Sequence, residues 1–179
     1  MNMPLIYAGI GSRKTPEKIL HQMEQAGAGL AGLGAVLRSG GAGGADQAFE
    51  AGAVRTNGRT EIYLPYKGFR GHQSELFGST FKARQIAKEF HPNWPGLGNH
   101  GREFMARNSY QILGKDLNTP CDFVLCWTPN GKITGGTGQA LRMAAHFKIP
   151  VYNMASHDLN EINDAIYRHI ETKQLELEP

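Results

Sequence analysis

The chain has 179 residues, of which 40% are hydrophobic and 20% are charged, and these proportions are typical of an ordinary globular domain. The formal net charge of +3 is compatible with an anionic ligand but is too small to indicate nucleic-acid binding by itself. No apolar run approaches the roughly 18 residues of a membrane span, no signal peptide is apparent, and no Cys/His cluster suggests zinc. We therefore expect a single cytoplasmic domain over residues 1–179, without a membrane partner, a metal or a cofactor.

The first half of the chain alternates between predicted strands and helices. Short apolar runs indicate strands, and Thr15-Pro16 is a typical helix start with threonine as the N-cap. We predict a strand at residues 5–10, a helix at 16–33, a strand at 35–37, a helix at 45–53 and a strand at 61–64. The first of these helices contains Gly27, Gly29 and Gly32, which either shorten it or let it pack closely on the sheet.

The second half continues this alternation after a less regular stretch. We predict a helix at residues 81–90, a turn-rich loop at 91–98, a helix at 102–114, a strand at 123–127, a glycine-rich loop at 131–138, a helix at 139–147, a strand at 150–153 and a helix at 159–172. Strands that alternate with helices throughout a chain are typical of an α/β fold. The sequence therefore predicts a doubly wound, mainly parallel sheet with helices on both faces.

Glycine-rich turns link several predicted strands to the helices that follow them, at residues 9–13, 39–46 and 134–139. In a parallel sheet, ligands bind outside the carboxyl ends of the strands, where the strand order reverses. Glycine lets a phosphate approach the backbone N–H groups, and the start of a helix favours an anion. These turns therefore predict a binding site for a nucleotide or a nucleic-acid phosphate.

Four motifs follow one another on these elements: Gly11-Ser12-Arg13, Ser39-Gly40-Gly41-Ala42-Gly43-Gly44-Ala45-Asp46, Met105-Ala106-Arg107-Asn108 and Gly135-Gly136-Thr137-Gly138. In this order they resemble the SLOG superfamily, which includes the nucleotide-binding domain of DNA-processing protein A, the lonely-guy phosphoribohydrolases and the YpsA-like proteins. The resemblance implies a Rossmann-like domain that binds a nucleotide, a nucleoside phosphate or a nucleic-acid strand. It also implies a homodimer or a higher homo-oligomer, and it is strongest to stand-alone cores of the kind common in phages.

The motifs define the candidate binding residues. We expect contact with the nucleotide or its phosphate from Gly11, Ser12, Arg13, Ser39, Gly40, Gly41, Gly44, Asp46, Arg107, Asn108, Gly135, Gly136 and Thr137. Three alternative roles remain open for Asp46. Its carboxylate complements the dipole of the helix that it begins, accepts a hydrogen bond from a sugar hydroxyl, or acts as a general base.

A catalytic function requires a carboxylate that the resemblance does not supply. In lonely-guy enzymes the second glycine loop is followed by a catalytic glutamate, whereas here residues 139–142 read Gln-Ala-Leu-Arg. An enzyme of this kind would have to use Asp46 or Glu103 to hydrolyse the N-glycosidic bond of a nucleoside monophosphate.

Three functions therefore remain open at the level of sequence. The first is a nucleotide-binding protein without strong catalysis, acting as a sensor or a sequestering protein. The second is a single-stranded DNA-binding recombination mediator similar to DNA-processing protein A. The third is a nucleoside-monophosphate N-glycosidase.

Overall fold

A computed structural model describes residues 4–175 of the chain. Its strands are β1 (Ile6–Gly11), β2 (Val36–Ser39), β3 (Arg59–Ile62), β4 (Phe123–Trp127) and β5 (Val151–Asn153). Its α-helices are α1 (Glu17–Gly32), α2 (Ala45–Arg55), α3 (Phe81–Glu89), α4 (Asn99–Leu113), α5 (Gly135–His146) and α6 (Leu159–Leu175). Single 3-10 turns lie at Phe69–Gly71 and Pro129–Gly131.

The strands form one five-stranded sheet in the order β3-β2-β1-β4-β5, and every adjacent pair is parallel. The chain winds outward from β1 in one direction through β2 and β3, and it then crosses back to β4 on the other side of β1. The register of β1 on β4 places Gly11 opposite Trp127 at their carboxyl ends. The predicted doubly wound parallel sheet is confirmed, and its strand order reverses between β1 and β4.

Apolar side chains cover both faces of the sheet. In β4, Val124 and Cys126 pack against residues of α3, α4 and α5, whereas Phe123 and Leu125 pack against residues of α1, α2 and α6. All four side chains are fully buried. This is the continuous apolar pattern expected of a central parallel strand, and it confirms the prediction of helices on both faces.

The internal glycines of α1 do not shorten the helix, which ends at Gly32. One of them lets α1 pack closely on α2 rather than on the sheet. A Cβ on Gly27 would meet the backbone carbonyl of Phe49, and one on Gly52 of α2 would meet the backbone carbonyl of Glu24. The two helix backbones are therefore close enough that only glycine fits at the contact.

Several predicted boundaries were wrong: β3 spans Arg59–Ile62 rather than 61–64, and α4 begins at Asn99 rather than at residue 102. For two others, at α5 and β2, tertiary contacts give the reason. Helix α5 begins at Gly135 rather than at residue 139, and its first turn is held by Asn108, whose Nδ2 donates to the carbonyl of Gly136 at 3.0 Å. Further along, a Cβ on Gly138 would lie 2.7 Å from the carbonyl carbon of Ile133. Strand β2 continues beyond Leu37 through Arg38 to Ser39. Arg38 is buried there because its Nε donates to Glu61 Oε2 at 2.7 Å.

The helices within residues 4–175 include none with both the length and the apolar character required to cross a membrane. Over the same part of the chain, no group of three or more His, Cys, Asp or Glu side chains is arranged to hold a metal ion.

Candidate functional site

A cleft of about 700 Å³ lies at the carboxyl edge of the sheet, where the strand order reverses. Its floor includes Ile10 and Gly11 at the end of β1. The turn after β2 contributes Ala42 and Gly43, and Thr128 follows β4 on the opposite side. The volume falls within the range of small-molecule sites, roughly 300–1,000 Å³. The cleft therefore has the position and the size expected of a ligand site in a doubly wound sheet.

The structure brings most of the sequence-predicted residues to this cleft. Those that line it are Gly11, Ser12, Arg13, Asp46, Arg107, Asn108, Gly135, Gly136 and Thr137. The predicted residues that do not line it are Ser39, Gly40, Gly41, Gly44 and Glu103.

The residues of the β2 turn that miss the cleft build the turn itself. Ser39 is fully buried, and its hydroxyl donates to the carbonyl of Gly9 at 2.7 Å. Gly44 has a φ of +83°, and a Cβ there would lie 2.9 Å from Cα of Arg13. At Gly40 the space of the missing Cβ is occupied by the guanidinium of Arg107. The glycines at 40 and 44 thus let the protein's own side chain and backbone approach closely, and contact of these residues with a phosphate stays a prediction.

Glu103 lies on α4 outside the cleft. It accepts a hydrogen bond from the hydroxyl of Ser79 at 2.6 Å and forms an ion pair with Arg84. The carboxylate therefore links α4 to residues at the start of α3, and it does not line the cleft.

Asp46 and Arg107 are buried charged residues that line the cleft close enough to influence each other's pKa, and only 4% and 6% of their surfaces are exposed. Burial raises the pKa of Asp46 to about 6, although the nearby Arg107 and the amides of Ala42 and Gly40 act to lower it. Burial also lowers the pKa of Arg107, against the effect of Asp46. The guanidinium is held by the carbonyl of Gly40 and by that of Tyr63, to which Nη1 donates at 3.3 Å.

The N-terminus of α5 presents free backbone amides to the cleft. Within the helix, the first amide with a partner is that of Gly138, which donates to the carbonyl of Thr134 at 2.9 Å. The amides of Gly135, Gly136 and Thr137 precede it and have no acceptor within the helix. No side chain caps this end, and its first turn contains no acidic residue. Such a helix start favours an anion.

Asn108 holds this helix start in place from α4. Its Nδ2 donates to the carbonyl of Gly136 at 3.0 Å and to Oε1 of Gln139 at 2.9 Å. Gln139 is fully buried and donates in turn to the carbonyl of Ala87 at 3.3 Å. Asn108 therefore positions the amides of α5 as well as lining the cleft.

The rim of the cleft is positively charged. Arg13, Lys14 and Arg70 are exposed and line it, and within residues 4–175 none of the three forms a salt bridge. Asp46 is the only carboxylate among the lining residues of that part of the chain, and Arg107 lies beside it. The charge that remains uncompensated is therefore positive, which suits an anionic ligand.

Sequence reasoning missed several residues that line the cleft, among them Phe104, Gln111 and Arg70. A signal existed for two of them. Phe104 and Gln111 lie three residues before and four after Arg107, so all three share one face of an α-helix. No such signal marks Arg70, because it reaches the cleft through a turn in which its own φ is +54°.

No protein-family model matches this chain, and no curated protein matches it. Among solved structures, the chain resembles DNA processing protein A from Helicobacter pylori, whose structure was solved in a study of its single-stranded DNA binding mode. The TM-score is 0.56 at 19% identity, over 92% of this chain and 73% of that one. This chain therefore shares a Rossmann-like α/β fold with that protein. The predicted fold is thereby confirmed, while the phage-type origin stays a prediction.

A second solved structure that matches this chain is that of the molybdenum cofactor carrier protein MCP from Chlamydomonas reinhardtii. Its TM-score is 0.48 at 16% identity, and the match covers 94% of this chain and 99% of that one.

Proposed function

We propose that the cleft binds a nucleotide or nucleoside phosphate, and that the protein acts as a sensor or a sequestering protein for this ligand. The observation that carries the proposal is the free N-terminal turn of α5, formed by Gly135, Gly136 and Thr137, facing a cleft of about 700 Å³. Uncapped amides at the start of a helix bind phosphate without the help of a specific side chain.

The charges around the cleft support the same ligand. Arg13 and Lys14 follow β1 directly and have no acidic partner within residues 4–175. Hydrogen bonds between a guanidinium and a phosphate stabilise a complex by roughly 1.5–3 kcal/mol each. Together with the amides of α5, these side chains provide donors for several phosphate oxygens.

The proposal is tested by asking which nucleotide the protein carries. The protein is purified without added ligand and denatured, and the released small molecules are identified by mass spectrometry. Calorimetric titration with AMP, GMP, CMP and UMP then measures affinity directly. We expect saturable binding of at least one of them, and a protein that binds none contradicts the proposal.

Single-stranded DNA is the second candidate ligand. It is favoured by the similarity in fold to DNA processing protein A, whose structure was studied for its single-stranded DNA binding mode. The exposed cations Arg13, Lys14 and Arg70 would then contact successive phosphates. Affinity for a single-stranded oligonucleotide should fall steeply with added salt, because bound cations on the DNA are released. An affinity that does not change with salt contradicts this candidate.

Hydrolysis of an N-glycosidic bond is the third candidate, and of the two carboxylates considered for it, Asp46 is the one that lines the cleft. Its carboxyl group lines the cleft with a pKa raised to about 6, which permits proton transfer near neutral pH. Incubation with a panel of nucleoside monophosphates, followed by chromatography for free base, tests this activity. The absence of base release from the whole panel excludes it.

A further inference from the structure

Gln111 is a largely buried polar residue whose side chain makes no hydrogen bond to the part of the chain that the structure describes. Only 2% of its surface is exposed, and it lines the cleft from α4. The hydrogen bonds of residues 4–175 include those of its neighbours Arg107 and Asn108, but none from the Gln111 carboxamide. In that part of the chain, the side-chain polar atoms that are both shielded from solvent and unpaired are the Tyr7 hydroxyl and Arg102 Nε. The polar atoms of Gln111 are not among them, so they keep contact with solvent in the cleft, where a ligand can take the place of water.

The surroundings of Gln111 suit an uncharged part of a ligand. Nε2 of Gln111 lies 2.7 Å from the position of a Cβ on Gly40, and the guanidinium of Arg107 is held by the carbonyl of that same glycine. The amide of Ala42 donates to Asp46 at 3.3 Å on the adjoining side of the turn. Because the charges of Asp46 and Arg107 offset each other, this floor does not favour a phosphate, whereas the cationic rim does.

We propose that Gln111 is a binding residue for the uncharged end of a nucleoside phosphate, whose phosphate lies at the start of α5. This inference rests on the proposed function. A carboxamide offers two donors and an acceptor. Sugar hydroxyls and the edge of a nucleobase also combine donors with acceptors, and both belong to the uncharged end of the same ligand.

The first readout is stability without ligand, measured for Gln111→Met and for the matched control Gln139→Met. Methionine keeps the length of glutamine and removes its polar atoms. We expect the Tm of Gln111→Met to equal or exceed that of the wild type, because no hydrogen bond is lost. Gln139→Met should have a lower Tm, since it loses the bonds to Asn108 and Ala87. A clear fall in Tm for Gln111→Met assigns the side chain a structural role and overturns the proposal.

The second readout is binding. AMP, dAMP, GMP and UMP are titrated by calorimetry, and inorganic phosphate is titrated by NMR. Gln111→Met should weaken binding of the preferred nucleotide about tenfold or more, as expected for the loss of one well-formed hydrogen bond. Its affinity for inorganic phosphate should be unchanged. If Gln111 contacts the sugar, the variant no longer discriminates AMP from dAMP; if it contacts the base, it no longer discriminates among AMP, GMP and UMP.

The failures of this inference and of the proposed function are distinguishable. A wild-type protein that binds none of the nucleotides overturns both. A wild-type protein that binds a nucleotide, with equal affinity in Gln111→Met, overturns the inference alone. Equal weakening of nucleotide and inorganic phosphate by Gln111→Met also overturns it, because Gln111 would then act on the phosphate.

Discussion

Arg13 is the first cationic residue after β1 in the sequence, and substituting it tests the proposed site at the scale of a single residue. It is exposed, lines the cleft and has no acidic partner within residues 4–175. We expect Arg13→Ala to weaken nucleotide binding about tenfold, because a charge-assisted hydrogen bond to phosphate is lost. Calorimetry measures the effect, with Arg168→Ala on the exposed side of α6 as the matched control. Equal affinities for the two variants contradict the assignment of Arg13.

Asp46 predicts a pH dependence of folding stability. The folded-state pKa is raised from 3.8 to about 6 by burial, so the folded protein holds this proton more tightly than the unfolded chain does. The stability contributed by the group is therefore fully present below the unfolded value, and it is lost as pH rises through the folded value. The loss amounts to about 3 kcal/mol, from 1.36 kcal/mol for each pKa unit.

The variant Asp46→Asn isolates this contribution because it cannot ionise. The unfolding free energy of the wild type minus that of Asp46→Asn should decrease between about pH 4 and about pH 6 and stay constant above that range. Urea denaturation at a series of pH values measures both proteins. A difference that does not vary with pH shows that the carboxyl group of Asp46 titrates normally.

The contact between α1 and α2 gives a prediction at the scale of an element. A Cβ on Gly52 would meet the backbone carbonyl of Glu24, whereas one on Gly29 would have no neighbour within 4 Å. We expect Gly52→Ala to lower the unfolding free energy by about 1–3 kcal/mol through overpacking. Gly29→Ala should raise it by about 0.5–1 kcal/mol, because alanine restricts the unfolded chain and favours the helix.

Denaturant titration compares the two glycine variants directly. Opposite signs support the close approach of the two helices. If Gly52→Ala is as stable as Gly29→Ala, the helices are further apart than the structure places them.

At the scale of the whole molecule, we predict that residues 1–179 unfold as a single cooperative domain. Trp94 packs against the side chains between the sheet and α3–α5, and Trp127 against those between the sheet and α1, α2 and α6. Tryptophan fluorescence therefore reports on both faces of the sheet. Its thermal transition should coincide with that of far-UV circular dichroism, since both cores share the strands. Two separate transitions contradict a single domain.

The oligomeric state is a further property of the whole molecule. The homodimer or higher homo-oligomer implied by the SLOG resemblance stays a prediction. Light scattering on the purified protein measures its mass against the 19.6 kDa of one chain, and a value near that mass excludes self-association.

Much of the fold could be predicted from local patterns of apolar residues and glycines in the sequence. The predicted strand at 123–127 coincides with β4, because its unbroken apolar run requires burial on both sides. The start of α5 was not predicted, because glycine has a low helix propensity, whereas in the structure Asn108 of α4 holds the first turn by donating to the carbonyl of Gly136. Arg70 was missed because a left-handed turn, and no local periodicity, brings it to the cleft.

By itself, the amino-acid sequence determined the alternation of strands and helices, the parallel sheet and the edge at which the cleft lies. Those features follow from apolar periodicity and from the positions of glycine-rich turns, which are local in the chain. Only the tertiary structure decided that the guanidinium of Arg107 lies where a side chain on Gly40 would be, and that the Gln111 side chain lines the cleft without a hydrogen bond to the rest of residues 4–175. These outcomes depend on how α4 packs beside the turn after β2, a contact between segments far apart in sequence.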